Sequence, residues 1–180
     1  VVVEDGRIAA VGAYAGLAPS LPAGVAVADH RGCLVMPGFV DTHIHFPQTR
    51  VIGSYGAQLL EWLQKYTFVE EQKYGDPAHA AAAAGFFLDE LLRNGTTTAA
   101  VYGSVHPESV DAFFAAAQAR RLRMIAGKVM MDRNAPPALT DTPERGYRES
   151  KARHQRWHGV GRLGYAITPR FALTSTDAQL

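Results

Sequence analysis

Three prolines in this 180-residue chain stand where helices should begin, and the residues before them say why. Pro77 follows Asp76, Pro107 follows His106 and Pro143 follows Thr142. Proline fits the first helical turn, where its missing N–H leaves no bond unmade, and the Asp76 and Thr142 side chains can cap the amides behind it. Around these starts lie β-branched or apolar runs at 40–45, 96–101, 124–129 and 163–168, each the length of a strand. Strand and helix thus alternate from 40 to 168. That order implies an α/β fold with a parallel sheet and right-handed crossovers.

The helices carry further signals. Ala80, Ala84, Phe87, Leu88 and Leu91 recur with helical period and form one buried stripe, with Asp89 and Arg93 set to pair outside it. Asn94-Gly95 then stops the helix. Val110, Phe113, Phe114 and Ala117 make the inner face of the next helix, and the third is weakly amphipathic to about Trp157. Leu59, Leu60, Leu63 and Tyr66 predict a short amphipathic helix, and Ser175-Thr176-Asp177 the start of another. Residues 96–101 read as a strand buried on both faces. A complete (β/α)8 barrel takes about 250 residues, so 38–180 is expected to be the first half of a TIM-type barrel. Residues 1–37 differ. Runs at 1–3 and 8–11 around Asp5-Gly6 predict a hairpin, and 25–28 and 32–35 two more strands, together part of a small β-sandwich. The chain is accordingly read as an N-terminal fragment.

Composition narrows the chemistry. A net charge of +1, with 19% charged residues, gives no long-range field of the kind a nucleic-acid surface needs. The basic cluster Arg120-Arg121-Leu122-Arg123 falls where a helix ends and suits the helix dipole. Cys33 is the single cysteine, so no intramolecular disulfide can form, and histidines and carboxylates must carry any metal. The apolar run 78–88 is too short to span a bilayer. No secretory signal is visible in a chain that opens on Val1 rather than on an initiator Met.

In parallel β/α units, groups at the carboxyl ends of the strands share one face, where such folds place their chemistry. That face is expected to receive His43 and His45, Tyr102 and His106, Asp132, and Arg170 with Phe171. His43 and His45 alternate along one strand, so both rings project to the same side, a geometry that suits a metal ion. A bare His-x-His is equally a pattern of core or edge strands. His106 also reads as a helix-entry residue, Asp132 as a turn former, Arg170 as half of a surface ion pair and Phe171 as core. His154 and His158 share a helix face outside the barrel and read as surface residues.

Val35-Met36-Pro37-Gly38-Phe39-Val40-Asp41-Thr42-His43-Ile44-His45 resembles the first metal motif of the amidohydrolase superfamily, whose members set a small β-sandwich beside a metal-binding (β/α)8 barrel. Within it, His43-Ile44-His45-Phe46-Pro47-Gln48, Leu59-Leu60-Glu61-Trp62-Leu63, Asn94-Gly95-Thr96-Thr97-Thr98 and Thr168-Pro169-Arg170-Phe171 look most like the guanine deaminase branch. The resemblance implies hydrolytic deamination of guanine to xanthine and ammonia by a zinc-activated water, in a cytoplasmic, homodimeric parent with neither nucleic-acid nor membrane partners. It implies His43 and His45 as ligands of Zn2+, and His45, Phe46, Pro47, Gln48, Arg170 and Phe171 as substrate-binding residues. The chemistry is compatible: an Arg fork suits the O6 edge of guanine, a Gln amide gives and accepts, and a Phe offers a stacking face. The family's His-x-x-Glu, a further His and a metal-binding Asp have no match here, so the general acid/base Glu and Asp are expected beyond Leu180. The 180 residues alone are therefore expected to turn over no guanine. Two other readings stay open: another amidohydrolase, such as a chlorohydrolase or a different purine or pyrimidine deaminase, and a non-catalytic interaction module.

Overall fold

The computed structural model describes residues 1–56 and 58–180, which divide into two compact units, Val1–Pro37 and Gly38–Leu180. In the first, β1 (Val2–Glu4) and β2 (Arg7–Ala10) pair antiparallel. Asp5 and Gly6 both take positive φ, 50° and 74°, as a two-residue hairpin turn requires. A short helix α1 (Tyr14–Leu17) follows. The two further strands expected at 25–28 and 32–35 do not form. A strand exists only as part of a ladder, and among the described residues no neighbour offers these segments one. Turns closed by Val25 N–H on Pro22 O and by Cys33 N–H on His30 O occupy this stretch instead.

The second unit contains strands β3 (Phe39–His45), β4 (Thr96–Tyr102), β5 (Arg123–Gly127), β6 (Val129–Met130), β7 (Gly164–Tyr165) and β8 (Thr168–Pro169). Strands β3, β4, β5 and β7 form one parallel sheet in that order, and β6 pairs parallel with β8. This is the parallel α/β arrangement expected. The third and fourth expected strands are each broken in two at the same level. A Cβ at Gly127 would lie 2.0 Å from the Ala166 carbonyl oxygen, so the fourth strand crosses the third there at a distance only glycine allows.

After β3 the chain runs through a 3-10 turn (Phe46–Val51), α2 (Leu59–Trp62), a π-helical turn (Leu63–Thr67), α3 (Phe68–Glu71) and a 3-10 turn (Gln72–Gly75). The expected short helix is thus one part of a longer helical segment. Its stripe also differs: Leu59 and Leu60 are exposed, whereas Leu63, Thr67, Phe68, Glu71 and Tyr74 are buried. The wide π turn shifts the helical phase, so the inner face is set by residues within and after it.

Helices α4 (Pro77–Arg93), α5 (Pro107–Ala119) and α6 (Pro143–Trp157) begin at the three prolines. Asp76 accepts from Ala78 N–H at 2.9 Å and Thr142 from Arg145 N–H at 3.1 Å. The stripes of α4 and α5 pack on Ala99, Val101, Met124 and Ala126, so these helices cover one face of the sheet. Strand β4 is accordingly buried on that face and half-buried on the other, not buried on both. Asp89 does not pair with Arg93. It takes the Arg120 guanidinium at 2.7 and 3.1 Å, because the end of α5 packs beside α4, and Arg93 turns to Glu90. Arg120 also donates to the Ala116 carbonyl at 3.2 Å, the helix-end placement expected of the basic cluster. After Ser175 the expected helix start is a single turn, in which the Thr176 carbonyl accepts from Gln179 N–H at 3.0 Å and Leu180 N–H at 3.2 Å, while Asp132 holds Thr176 by its N–H at 2.8 Å and by its hydroxyl. No helix among the described residues is long and apolar enough to cross a membrane.

Candidate functional site

Strand β3 meets β4 through two irregularities. Thr97 bulges out of β4 opposite Phe39 and Val40, and a Cβ at Gly38 would lie 2.2 Å from its Oγ1, so glycine is needed where the strand begins. At the other end, β3 holds one residue more than β4 between the pairs Asp41–Ala99 and Ile44–Val101. His43 lies in this bulge, and the Asp41 carboxylate accepts its N–H at 3.0 Å. The Asp-Thr-His run is therefore a device that frees the strand end from the ladder and aims its side chains. The rings of His43 and His45 lie on the same side, with centroids 5.3 Å apart, while Ile44 packs against the core. Tyr102, at the end of β4, stacks on His45 at 4.5 Å.

His45 is half-buried, and its Nδ1 has no hydrogen-bond partner. Burial, then the charges of Arg170 and His43, push its pKa down to about 3. The imidazole is neutral at physiological pH and keeps a lone pair for a cation. Two convergent imidazoles, one with an unpartnered nitrogen, fit half of a tetrahedral metal shell. Among the described residues no third His, Cys, Asp or Glu joins them.

Arg170 and Gln48 come together on a residue that motif reading missed. Arg170 Nη1 donates to Glu71 Oε2 at 2.6 Å across 99 positions, and Gln48 Nε2 donates to Glu71 Oε1 at 3.3 Å. Glu71 is fully buried, and the Ser104 hydroxyl holds its backbone carbonyl at 3.2 Å. The Arg170 guanidinium also sits 5.4 Å from the centre of the Phe68 ring. Arg170 is thus a buried ion-pair partner, not a surface one. A signal for Glu71 is present in the sequence: a carboxylate in helical phase with Phe68 and Tyr74 and with Thr67. Phe171, with Phe68, Leu63 and Asn134, lines a cavity of about 340 Å3.

The remaining candidates separate. Phe46 is buried in the core, its ring against Tyr74, Phe87 and Phe113, because the alternation that sends His43 and His45 one way sends Ile44 and Phe46 the other. Its ring lies in the core and not beside those of His43 and His45. Pro47 is buried in the first turn after β3. His106 occupies the N-cap position of α5, and Asp132 ties its loop to Thr176. His154 and His158 are exposed and stacked at 4.5 Å, and His158 Nδ1 accepts from Tyr165 N–H at 3.2 Å.

The model of the amidohydrolase family matches residues 34–180. This chain belongs to the amidohydrolase family. It is 54% identical over 179 residues to guanine deaminase of Escherichia coli (strain K12), covering 99% of this chain and 41% of that protein. The solved E. coli guanine deaminase superposes with a TM-score of 0.95 over the same shares of the two chains. Guanine deaminase from Bradyrhizobium japonicum matches at TM-score 0.78 and 49% identity, over 79% of this chain and 31% of that one. That from C. acetobutylicum, solved with bound guanine, matches at 0.83 and 29%, over 88% and 39%. The amidohydrolase chain thus spans about two fifths of the length of its relatives, and what it matches is the N-terminal part of their barrel.

Proposed function

We propose that the protein carrying this chain is a zinc-dependent guanine deaminase, converting guanine and water to xanthine and ammonia. The observation that carries the reading is the assembly of Gln48 and Arg170 on buried Glu71, at the strand ends that also present His43 and His45. A neutral heterocycle placed there meets a guanidinium fork, an amide and, on Phe171, a ring face. The 54% identity to E. coli guanine deaminase and the bound guanine in the C. acetobutylicum enzyme support the substrate. His43 and His45 are the residues that would hold the metal. When bound, the ion supplies Lewis acidity, lowering the pKa of water far enough for a nucleophile to exist at neutral pH. The chain's own residues bind and orient the purine and keep His45 deprotonated. We place the partial β-sandwich of the family in Val1–Pro37 and the barrel half in Gly38–Leu180.

Steady-state kinetics of Gln48→Ala in the full-length protein test this. Loss of one hydrogen-bonding amide should raise KM for guanine about tenfold. Unchanged guanine kinetics, with turnover of a triazine or another base, would instead support a different amidohydrolase specificity.

A further inference from the structure

We infer that Glu71 is a positioning residue which decides the polar face that Gln48 and Arg170 show to the substrate, an inference that rests on the site reading above. A carboxylate can only accept hydrogen bonds. With Glu71 Oε1 at 3.3 Å, Gln48 must turn its NH2 toward Glu71 and its carbonyl Oε1 away. An amide left to itself flips freely between two nearly isosteric orientations, one offering a donor and the other an acceptor. Glu71 removes that choice.

The same carboxylate holds Arg170 through Nη1 at 2.6 Å, with the guanidinium against the Phe68 face, and leaves the other N–H groups of the fork uncommitted among the described residues. The outcome is an acceptor from Gln48 beside donors from Arg170. A heterocycle edge carrying a donor next to an acceptor is the complement of that face, and a base with the reverse pattern would leave both protein groups unpaired. Glu71 also neutralises the Arg170 charge, so the pair faces a neutral ring without an unbalanced cation. Its own position is fixed. It is fully buried, it ends α3, and Ser104 from the loop after β4 holds its carbonyl.

A double-mutant cycle in the full-length, metal-loaded protein separates positioning from mere structural support. Guanine kcat and KM are measured for the parent protein, Glu71→Gln, Arg170→Met and the double variant. Glu71→Gln should raise KM about tenfold or more while kcat stays within about threefold, because binding common to ground and transition states is lost. In the Arg170→Met background the same change should raise KM by a smaller factor than in the parent protein, because only the orientation of Gln48 is then left to lose. Unchanged KM, or an undiminished effect in that background, overturns the inference. If Glu71→Gln does not fold, Glu71→Asp keeps the charge on a shorter stem; a raised KM with retained kcat supports positioning and an unaltered KM refutes it. Should the parent protein act on another heterocycle and not on guanine, the guanine reading fails, and the same cycle on that substrate still decides the role of Glu71.

Discussion

Alanine at either His43 or His45 is expected to lower guanine turnover of the full-length protein by about 10^3-fold or more, with loss of bound zinc. The magnitude follows from Lewis-acid stabilisation worth several kcal/mol, at about 1.4 kcal/mol per tenfold. Another account of these residues must be separated first, since His43, His45 and Tyr102 form an aromatic trio with centroids 4.5 to 5.3 Å apart. If stacking were their whole purpose, His45→Phe would preserve it. A phenyl ring keeps the contact with Tyr102 but has no lone pair, so the ligand reading expects His45→Phe to be as inactive as His45→Ala. Metal content by elemental analysis should fall in parallel, while far-UV circular dichroism stays unchanged because His43 is exposed and His45 lies at the strand end. Full turnover with stoichiometric zinc in His45→Phe would remove the physical basis of the metal assignment.

What could be read in the sequence was whatever depends on near neighbours. Asp76-Pro77 and Thr142-Pro143 begin helices because the capping oxygen and the amide it accepts lie within three residues. The buried stripe of α4 follows from periodicity alone. Asp89 was assigned to Arg93 by the same local logic, and there it failed, because a partner brought by another helix offers two bonds. The site divides the same way. His43 and His45 were legible from alternation along one strand. The bulge that aims them was not, because it exists only in the register between β3 and β4. Glu71 is not legible in this way, since its partners stand 23 and 99 positions away and the pair Glu70-Glu71 in a helical stretch has a solvent-exposed face as its default reading. Phe46 shows how a resemblance and a packing direction carry different information: the likeness of residues 43–48 to the family says nothing of where one ring points, and alternation after β3 sends that of Phe46 into the core.

The second large effect concerns stability and a pair outside the site. Lys128 is fully buried at the break between β5 and β6, its ammonium bonded to the Asp141 carboxylate and 3.6 Å from Glu149 Oε2. Asp141 in turn accepts the Thr142 N–H at 2.9 Å, just ahead of α6. Removing one partner of such a pair leaves an unbalanced charge where water cannot reach it, so Lys128→Met is expected to destabilise by about 3–5 kcal/mol. The double variant Lys128→Met/Asp141→Asn should recover most of that loss, since the amide oxygen can still accept from Thr142 and the charge of Glu149 keeps its partner Arg145 at 3.0 Å. Arg145→Ala is the internal control. Its guanidinium meets Glu149 at 3.0 Å, yet the side chain is 43% exposed, and a pair so open to solvent should contribute less than about 1 kcal/mol. Urea melts of the three variants, with m-values checked for two-state behaviour, measure all of this. If Lys128→Met were as stable as the parent protein, or the double variant no better than the single, the ammonium would not be balanced by Asp141 in solution, and the packing of α6 against the third strand would need another origin.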